Sequence, residues 1–163
     1  MKKTSVISIF IVFLLSIVIV GFFGVRMKVY DPIIYVSGIT WDSSEFEKDK
    51  VSFFVKKYTE EEKEEQKIDF DARLDYYLMG FNGPIELNIK CRPNPENATN
   101  PNLNYYFDNT GKDVQKTILP DNTVDIMFNE PVGITLYVAS TDGRNVTYTI
   151  RINVIDESMI FPN

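Results

Sequence analysis

Carboxylates are the side chains in this sequence that are numerous enough to carry chemistry. The 163 residues contain 23 aspartates and glutamates, no histidine and a single cysteine, Cys91. Without histidine the chain lacks the commonest general base near neutral pH and the commonest zinc ligand. One cysteine forms neither a thiolate metal cluster nor an intramolecular disulfide. We therefore predict no catalytic residues and no cofactor.

Three aspartates alternate with apolar residues along 68–78: Asp69, Asp71 and Asp75. Two carboxylates suffice for glycosidic cleavage, so a glycan-acting enzyme that uses Asp71 and Asp75 is one alternative. The period of two predicts a strand with these carboxylates on its outward face, where such groups are ordinarily solvated. The pattern therefore favours a protein that is not an enzyme.

Aspartates in the predicted loops supply the hard oxygen ligands that calcium prefers. These candidate calcium ligands are Asp108, Asp113, Asp121 and Asp125. They would make the protein a calcium-dependent adhesin. Their spacing matches no EF-hand, and turns use Asp and Asn for their own backbone geometry. We predict no metal site and keep the adhesin as an alternative.

Two asparagines and the single cysteine are other side chains that could carry a covalent modification. Asn97-Ala-Thr and Asn145-Val-Thr match the acceptor pattern for N-glycosylation, and both lie in predicted loop or turn-edge positions. Cys91 falls at an inward position of a predicted strand, which favours a small buried core residue. An intermolecular disulfide is the alternative for this thiol.

The longest apolar stretch spans residues 5–25, and these 21 residues contain no charge. As a helix it would rise about 30 Å, the thickness of the hydrocarbon core of a bilayer. A cleaved signal peptide is the alternative, but the run is long and Phe22 stands where cleavage needs a small side chain. We predict a transmembrane signal anchor preceded by a short basic head, residues 1–4.

The remaining residues, 26–163, have the length of one domain. With the N-terminus in the cytoplasm, as is usual for a short basic head, this domain would be extracytoplasmic. The formal net charge of the chain is −6, which argues against nucleic acid as a partner. Frequent Val, Ile, Phe and Tyr favour strands over helices.

Alternating apolar residues separated by turn signals predict an all-β fold, an antiparallel immunoglobulin-like β-sandwich. Asn82-Gly83 predicts a hairpin between 68–78 and 85–91, and Asp142-Gly143 predicts another between 134–140 and 146–154. Residues 59–67 contain five glutamates and no apolar face. They are predicted to be a solvated loop or short surface helix, with an acidic contact patch as the alternative.

The last predicted strands of the chain resemble those of a known class of module. Within Thr123–Val154, the strand ITLYVAST, the turn TDG and the closing strand VTYTIRINV resemble immunoglobulin-like or cadherin-like modules of microbial surface proteins. The chain lacks the Cys-Trp-Cys framework of antibody domains. The resemblance implies a binding or spacer module and transfers no site residue.

Together these features predict a membrane-anchored envelope or surface protein whose sandwich binds another protein. It would be an accessory or assembly subunit of a larger membrane complex, held by residues 5–25. The alternative is a filament subunit of the pilus or archaellum type, or an accessory protein of such a machine. Filament precursors place Gly or Ala before the apolar run, whereas this chain has Lys3-Thr4 there.

Overall fold

The computed structural model describes residues 3–24, 31–107 and 111–160. The chain divides into two compact units, Met1–Pro32 and Ile33–Asn163. The first unit contains one helix, α1, Lys3–Gly24. The predicted helical conformation of the apolar stretch is therefore confirmed.

The prediction that this helix crosses a membrane is wrong. No helix in the described part of the chain is both long and apolar enough to span a bilayer. The side chains described in α1 are those of residues 7–19, all of them exposed.

The second unit contains nine strands in two sheets within its described residues. The strands are β1 Gly38–Asp42, β2 Phe53–Lys57, β3 Ala72–Leu78, β4 Ile85–Asn94, β5 Leu103–Phe107, β6 Val114–Ile118, β7 Thr123–Phe128, β8 Gly133–Ser140 and β9 Thr147–Asp156. One sheet has the order β1-β4-β7-β6, and the other has the order β2-β3-β9-β8-β5. The predicted β-rich character of the domain is confirmed.

Alternation along the strands builds the core. Ile134, Leu136 and Val138 of β8 are fully buried, and the inward residues of the other strands join them in one apolar cluster. Cys91 of β4 lies in this cluster with 1% of its surface exposed, which confirms its predicted core position. Burial raises the pKa of the Cys91 thiol to about 12, so the thiol is protonated and unreactive at neutral pH.

The predicted hairpin between 68–78 and 85–91 is wrong. β3 pairs with β2 and β9, whereas β4 pairs with β1 and β7 in the other sheet. The turn at Asn82-Gly83 therefore carries the chain from one sheet to the other. The Asp156 carboxylate at the end of β9 accepts hydrogen bonds from the backbone N–H groups of Gly80 and Phe81, each at 2.9 Å, and so fixes the start of this crossover.

The prediction of purely antiparallel sheets is also wrong at one pair, because β3 and β9 run parallel. The second predicted hairpin is confirmed, since β8 and β9 pair antiparallel. Trp41 belongs to β1 and is buried.

Three short helices follow α1 in the described residues: α2 Ser44–Lys48, α3 Glu60–Gln66 and α4 Glu157–Ile160. The glutamate-rich segment forms α3, which has no buried residue and begins with a capping box between Thr59 and Glu62. This is the predicted short surface helix.

Candidate functional site

The outward positions of the five-stranded sheet form the most organised polar surface of the described chain. Its members, hereafter the outer face, are Phe54, Lys56, Arg73, Asp75, Tyr77, Tyr106, Thr135, Tyr137, Arg151 and Asn153. They come from all five strands. Strand register brings them side by side, because outward residues of paired strands are direct neighbours.

Asp75 lies at the centre of the outer face and is only 1% exposed. Its Oδ1 accepts hydrogen bonds from Arg73 Nε at 2.9 Å and from Asn153 Nδ2 at 2.6 Å. Its Oδ2 accepts a hydrogen bond from the Tyr77 hydroxyl at 3.2 Å and lies 2.8 Å from Arg73 Nη2. The Arg73 guanidinium thus contacts both carboxylate oxygens of Asp75. This bidentate geometry fixes the orientation of the two side chains and pairs their opposite charges.

Arg151 extends the same network across β9 and β8. Its Nε donates to Asn153 Oδ1 at 3.2 Å, and its Nη1 donates to Thr135 Oγ1 at 3.0 Å. Both acceptors are neutral, and Arg151 forms no ion pair with a carboxylate of the described residues. Its guanidinium is therefore held in place while its charge is not neutralised.

Gly133 makes room for this arrangement. A Cβ atom at Gly133 would lie 2.6 Å from Asn153 Oδ1 and 2.9 Å from Arg151 Nη2. Both distances are shorter than van der Waals contact, so any side chain at this position would displace the two polar groups. The glycine is explained by this close approach.

Aromatic rings flank the charged groups. Tyr106 and Tyr137 stack with ring centroids 5.2 Å apart and an interplanar angle of 11°, and they are 45% and 36% exposed. On the opposite side, the Arg73 guanidinium lies 6.0 Å from the centroid of the Phe54 ring. The outer face therefore presents half-exposed aromatic and arginine side chains held by their neighbours.

The surroundings raise the pKa of two side chains on the outer face, Arg73 and Tyr77. The hydrogen bond to Asp75 raises the pKa of Arg73. Desolvation, followed by the charge of Asp75, raises the pKa of Tyr77. Arg73 therefore stays charged and Tyr77 stays neutral at neutral pH.

The four-stranded sheet has a different exterior, a groove with a volume of about 470 Å³. Its charged lining residues, hereafter the acidic groove, are Asp42, Glu45, Glu86, Lys90, Asp121 and Asp125. Asp42 pairs with Arg92, and Asp121 pairs with Lys90, at 2.9 Å in both cases. Five carboxylates thus surround a single lysine within the groove.

The carboxylates predicted for a glycan-acting enzyme are engaged in contacts within the fold. Asp71 accepts hydrogen bonds from Lys63 Nζ at 2.6 Å and from the backbone N–H of Thr149 at 2.7 Å. Asp75, predicted to be solvated, is buried, so that prediction is wrong. Cross-strand donors cover this carboxylate, and the period of two cannot reveal them.

The candidate calcium ligands lie in different places. Asp108 is outside the described residues. Asp113 accepts a hydrogen bond from Asn129 Nδ2 at 2.9 Å, whereas Asp121 and Asp125 line the acidic groove. Within the described ranges, no group of three or more acidic, cysteine or histidine side chains could hold a metal ion.

The two glycosylation acceptors are exposed. Asn97 lies in the loop between β4 and β5, and Asn145 lies in the turn between β8 and β9 with a φ of 54°. The accessibility that modification would require is present at both.

The alternation of apolar and polar residues along 146–154 places Arg151 and Asn153 at outward positions but does not show what they contact. Their neighbours Arg73 and Asp75 belong to β3, which pairs with β9 across 78 residues of sequence in parallel register. No local signal predicts such a pairing, so the sequence alone does not show that the outer face is one site.

Comparison with known proteins identifies no relative. No family model matches the chain, and neither a curated protein nor a solved structure matches it. The resemblance of Thr123–Val154 to immunoglobulin-like modules stays a prediction, and the site must be interpreted from its own geometry.

Proposed function

We propose that this protein is a non-enzymatic binding protein whose outer face docks another protein, as an accessory or assembly subunit of a larger complex. The observation that carries the proposal is the state of Arg151. Its guanidinium is oriented by two neutral acceptors and forms no ion pair with a carboxylate of the described residues. It lies on the same face as the stacked rings of Tyr106 and Tyr137. Arginine and tyrosine are the residues enriched at the energetic centres of protein interfaces.

Preorganisation supports the same proposal. Association costs the rotamer freedom of each side chain that becomes ordered, about 0.5–1.5 kcal/mol for a long one. Arg73 and Arg151 are already held by hydrogen bonds, and the two tyrosine rings are already stacked. These side chains have therefore already lost much of their rotamer freedom on folding, which favours docking on this surface.

Cross-linking of the native chain in the cells that produce it, followed by purification and quantification of stoichiometric companions, tests the proposal. Arg151→Glu should lower recovery of the companion by about tenfold or more, because a reversed charge at an interface centre costs over a kilocalorie per mole. Arg144→Glu is the matched control, since Arg144 is an exposed arginine in the β8–β9 turn. Equal recovery with both variants would refute the proposal.

A further inference from the structure

The two exteriors of the sandwich domain carry opposite charge. On the outer face, strand register aligns Lys56, Arg73 and Arg151 in one row across β2, β3 and β9. The acidic groove presents five carboxylates and one lysine on the other sheet.

Part of this charge is compensated inside the chain. Lys56 pairs with Glu62 at 3.3 Å, and Arg73 pairs with Asp75. Among the described residues, no cation forms an ion pair with Glu45, Glu86 or Asp125 in the groove, and no carboxylate pairs with Arg151 on the outer face. The uncompensated charges are therefore negative in the groove and positive at Arg151.

We infer that the outer face of one copy of this chain docks on the acidic groove of a second copy. The inference rests on the proposed function, because it uses the same docking surface and names the chain itself as the partner. Arg151 is the central contact, since a planar guanidinium can engage a carboxylate through two parallel hydrogen bonds. Its partners in the groove would be Glu86 and Asp125, which lie on the neighbouring strands β4 and β7 and form no ion pair with a described cation.

Charge decides the orientation of the contact. The chain has a net charge of −6, so two copies repel each other unless opposite charges meet locally. Pairing groove with groove, or outer face with outer face, would bring like charges together. Pairing unlike faces leaves one free face at each end, and such a heterologous contact produces an open chain or a ring rather than a closed dimer.

Sedimentation velocity of the purified full chain tests this contact. At about 50 mM NaCl we expect the mean sedimentation coefficient to rise with protein concentration, and at about 500 mM the rise should disappear because salt screens the contact. Arg151→Glu and Asp125→Lys should each abolish the salt-sensitive rise. An equimolar mixture of the two variants should restore it, because the unchanged groove of one variant meets the unchanged outer face of the other.

Matched controls carry the same charge changes elsewhere. Lys50→Glu and Glu65→Lys alter exposed residues outside both surfaces and should associate as the unmodified chain does. Association through the apolar helix α1 would be common to all variants and resistant to salt. The salt-sensitive difference between variants is therefore the readout.

Three results would overturn the inference: no salt-sensitive association of the unmodified chain, association unaffected by both variants, or a mixture that stays dissociated. If the unmodified chain does not associate but the cross-linked companion still depends on Arg151, self-docking is refuted while the proposed function stands. If no companion depends on Arg151 either, both are refuted.

Discussion

The two sheets of this domain expose their polar residues in different ways. On the five-stranded sheet Asp75 is buried and accepts hydrogen bonds from Arg73 and Asn153, while Arg151 is held by the neutral acceptors Asn153 and Thr135. On the four-stranded sheet five carboxylates line a groove, and Glu45, Glu86 and Asp125 among them form no ion pair with a cation of the described residues. Both surfaces arise from the same alternation of inward and outward residues, so the difference lies in which side chains the pairing of strands brings together.

Because of this difference, the polar residues of the outer face should contribute more to the stability of the fold than those of the acidic groove. A carboxylate that is buried and fully hydrogen-bonded leaves its donors unpaired when it is removed. An open carboxylate is already solvated by water and loses little when it is replaced. The comparison therefore predicts effects of different size, and of different sign, for the same substitution on the two sheets.

The largest expected effect is that of Asp75→Ala. Its removal leaves donors of Arg73 and Asn153 unpaired around a carboxylate position that is 1% exposed, although the Arg73 side chain is itself 40% exposed, and we expect the free energy of unfolding to fall by about 2 kcal/mol. Asp125→Ala on the other sheet should change it by no more than about 0.5 kcal/mol. Urea unfolding of the full chain measures both; equal effects would mean that the two exteriors are not distinct.

A smaller effect is expected for Gly133→Ala. The new methyl group would lie 2.6 Å from Asn153 Oδ1 and would push this amide and Arg151 aside, which we expect to lower the free energy of unfolding by about 1 kcal/mol. Gly38→Ala is the matched control, because its Cβ would come no closer than 3.9 Å to Asn94. That variant should be about 0.5 kcal/mol more stable, since alanine has less freedom in the unfolded chain.

Both glycine variants can be followed by urea unfolding under the same conditions. Opposite signs would confirm that the network around Arg151 needs an empty position at residue 133. A stabilised Gly133→Ala variant would show instead that the ends of Arg151 and Asn153 move without cost.

The sequence was sufficient for the parts of the fold that depend on local pattern. Alternation identified β8 and β9, and the turn at Asp142-Gly143 joins them as predicted. The same reasoning failed at Asn82-Gly83, because a turn signal does not distinguish a hairpin from a crossover between sheets. The strand partners were decided by non-local contacts, including the hydrogen bonds from Gly80 and Phe81 to Asp156.

The candidate site was predictable in its parts but not as a whole. The outward direction of Arg151 and Asn153 follows from the alternation in β9, and that of Asp75 from the alternation in β3. Their contact requires the parallel pairing of these strands, which joins the middle of the chain to its end. Burial of Asp75 is a consequence of that pairing, and for this reason composition and period predicted a solvated carboxylate.

The smallest expected effect has the opposite sign and concerns the acidic groove. Asp125 and Glu86 line the same groove, and no described cation forms an ion pair with either. Asp125→Asn should therefore relieve repulsion and raise the free energy of unfolding by a few tenths of a kcal/mol at low salt. In about 500 mM NaCl the gain should vanish, because screening has already removed the repulsion.

Asp75→Asn is the control on the other sheet. It should destabilise the chain at both salt concentrations, because this substitution removes hydrogen bonds, which salt does not screen. A gain for Asp125→Asn that persists in high salt would point to a local hydrogen bond in the groove and would remove the basis for treating its carboxylates as open charges.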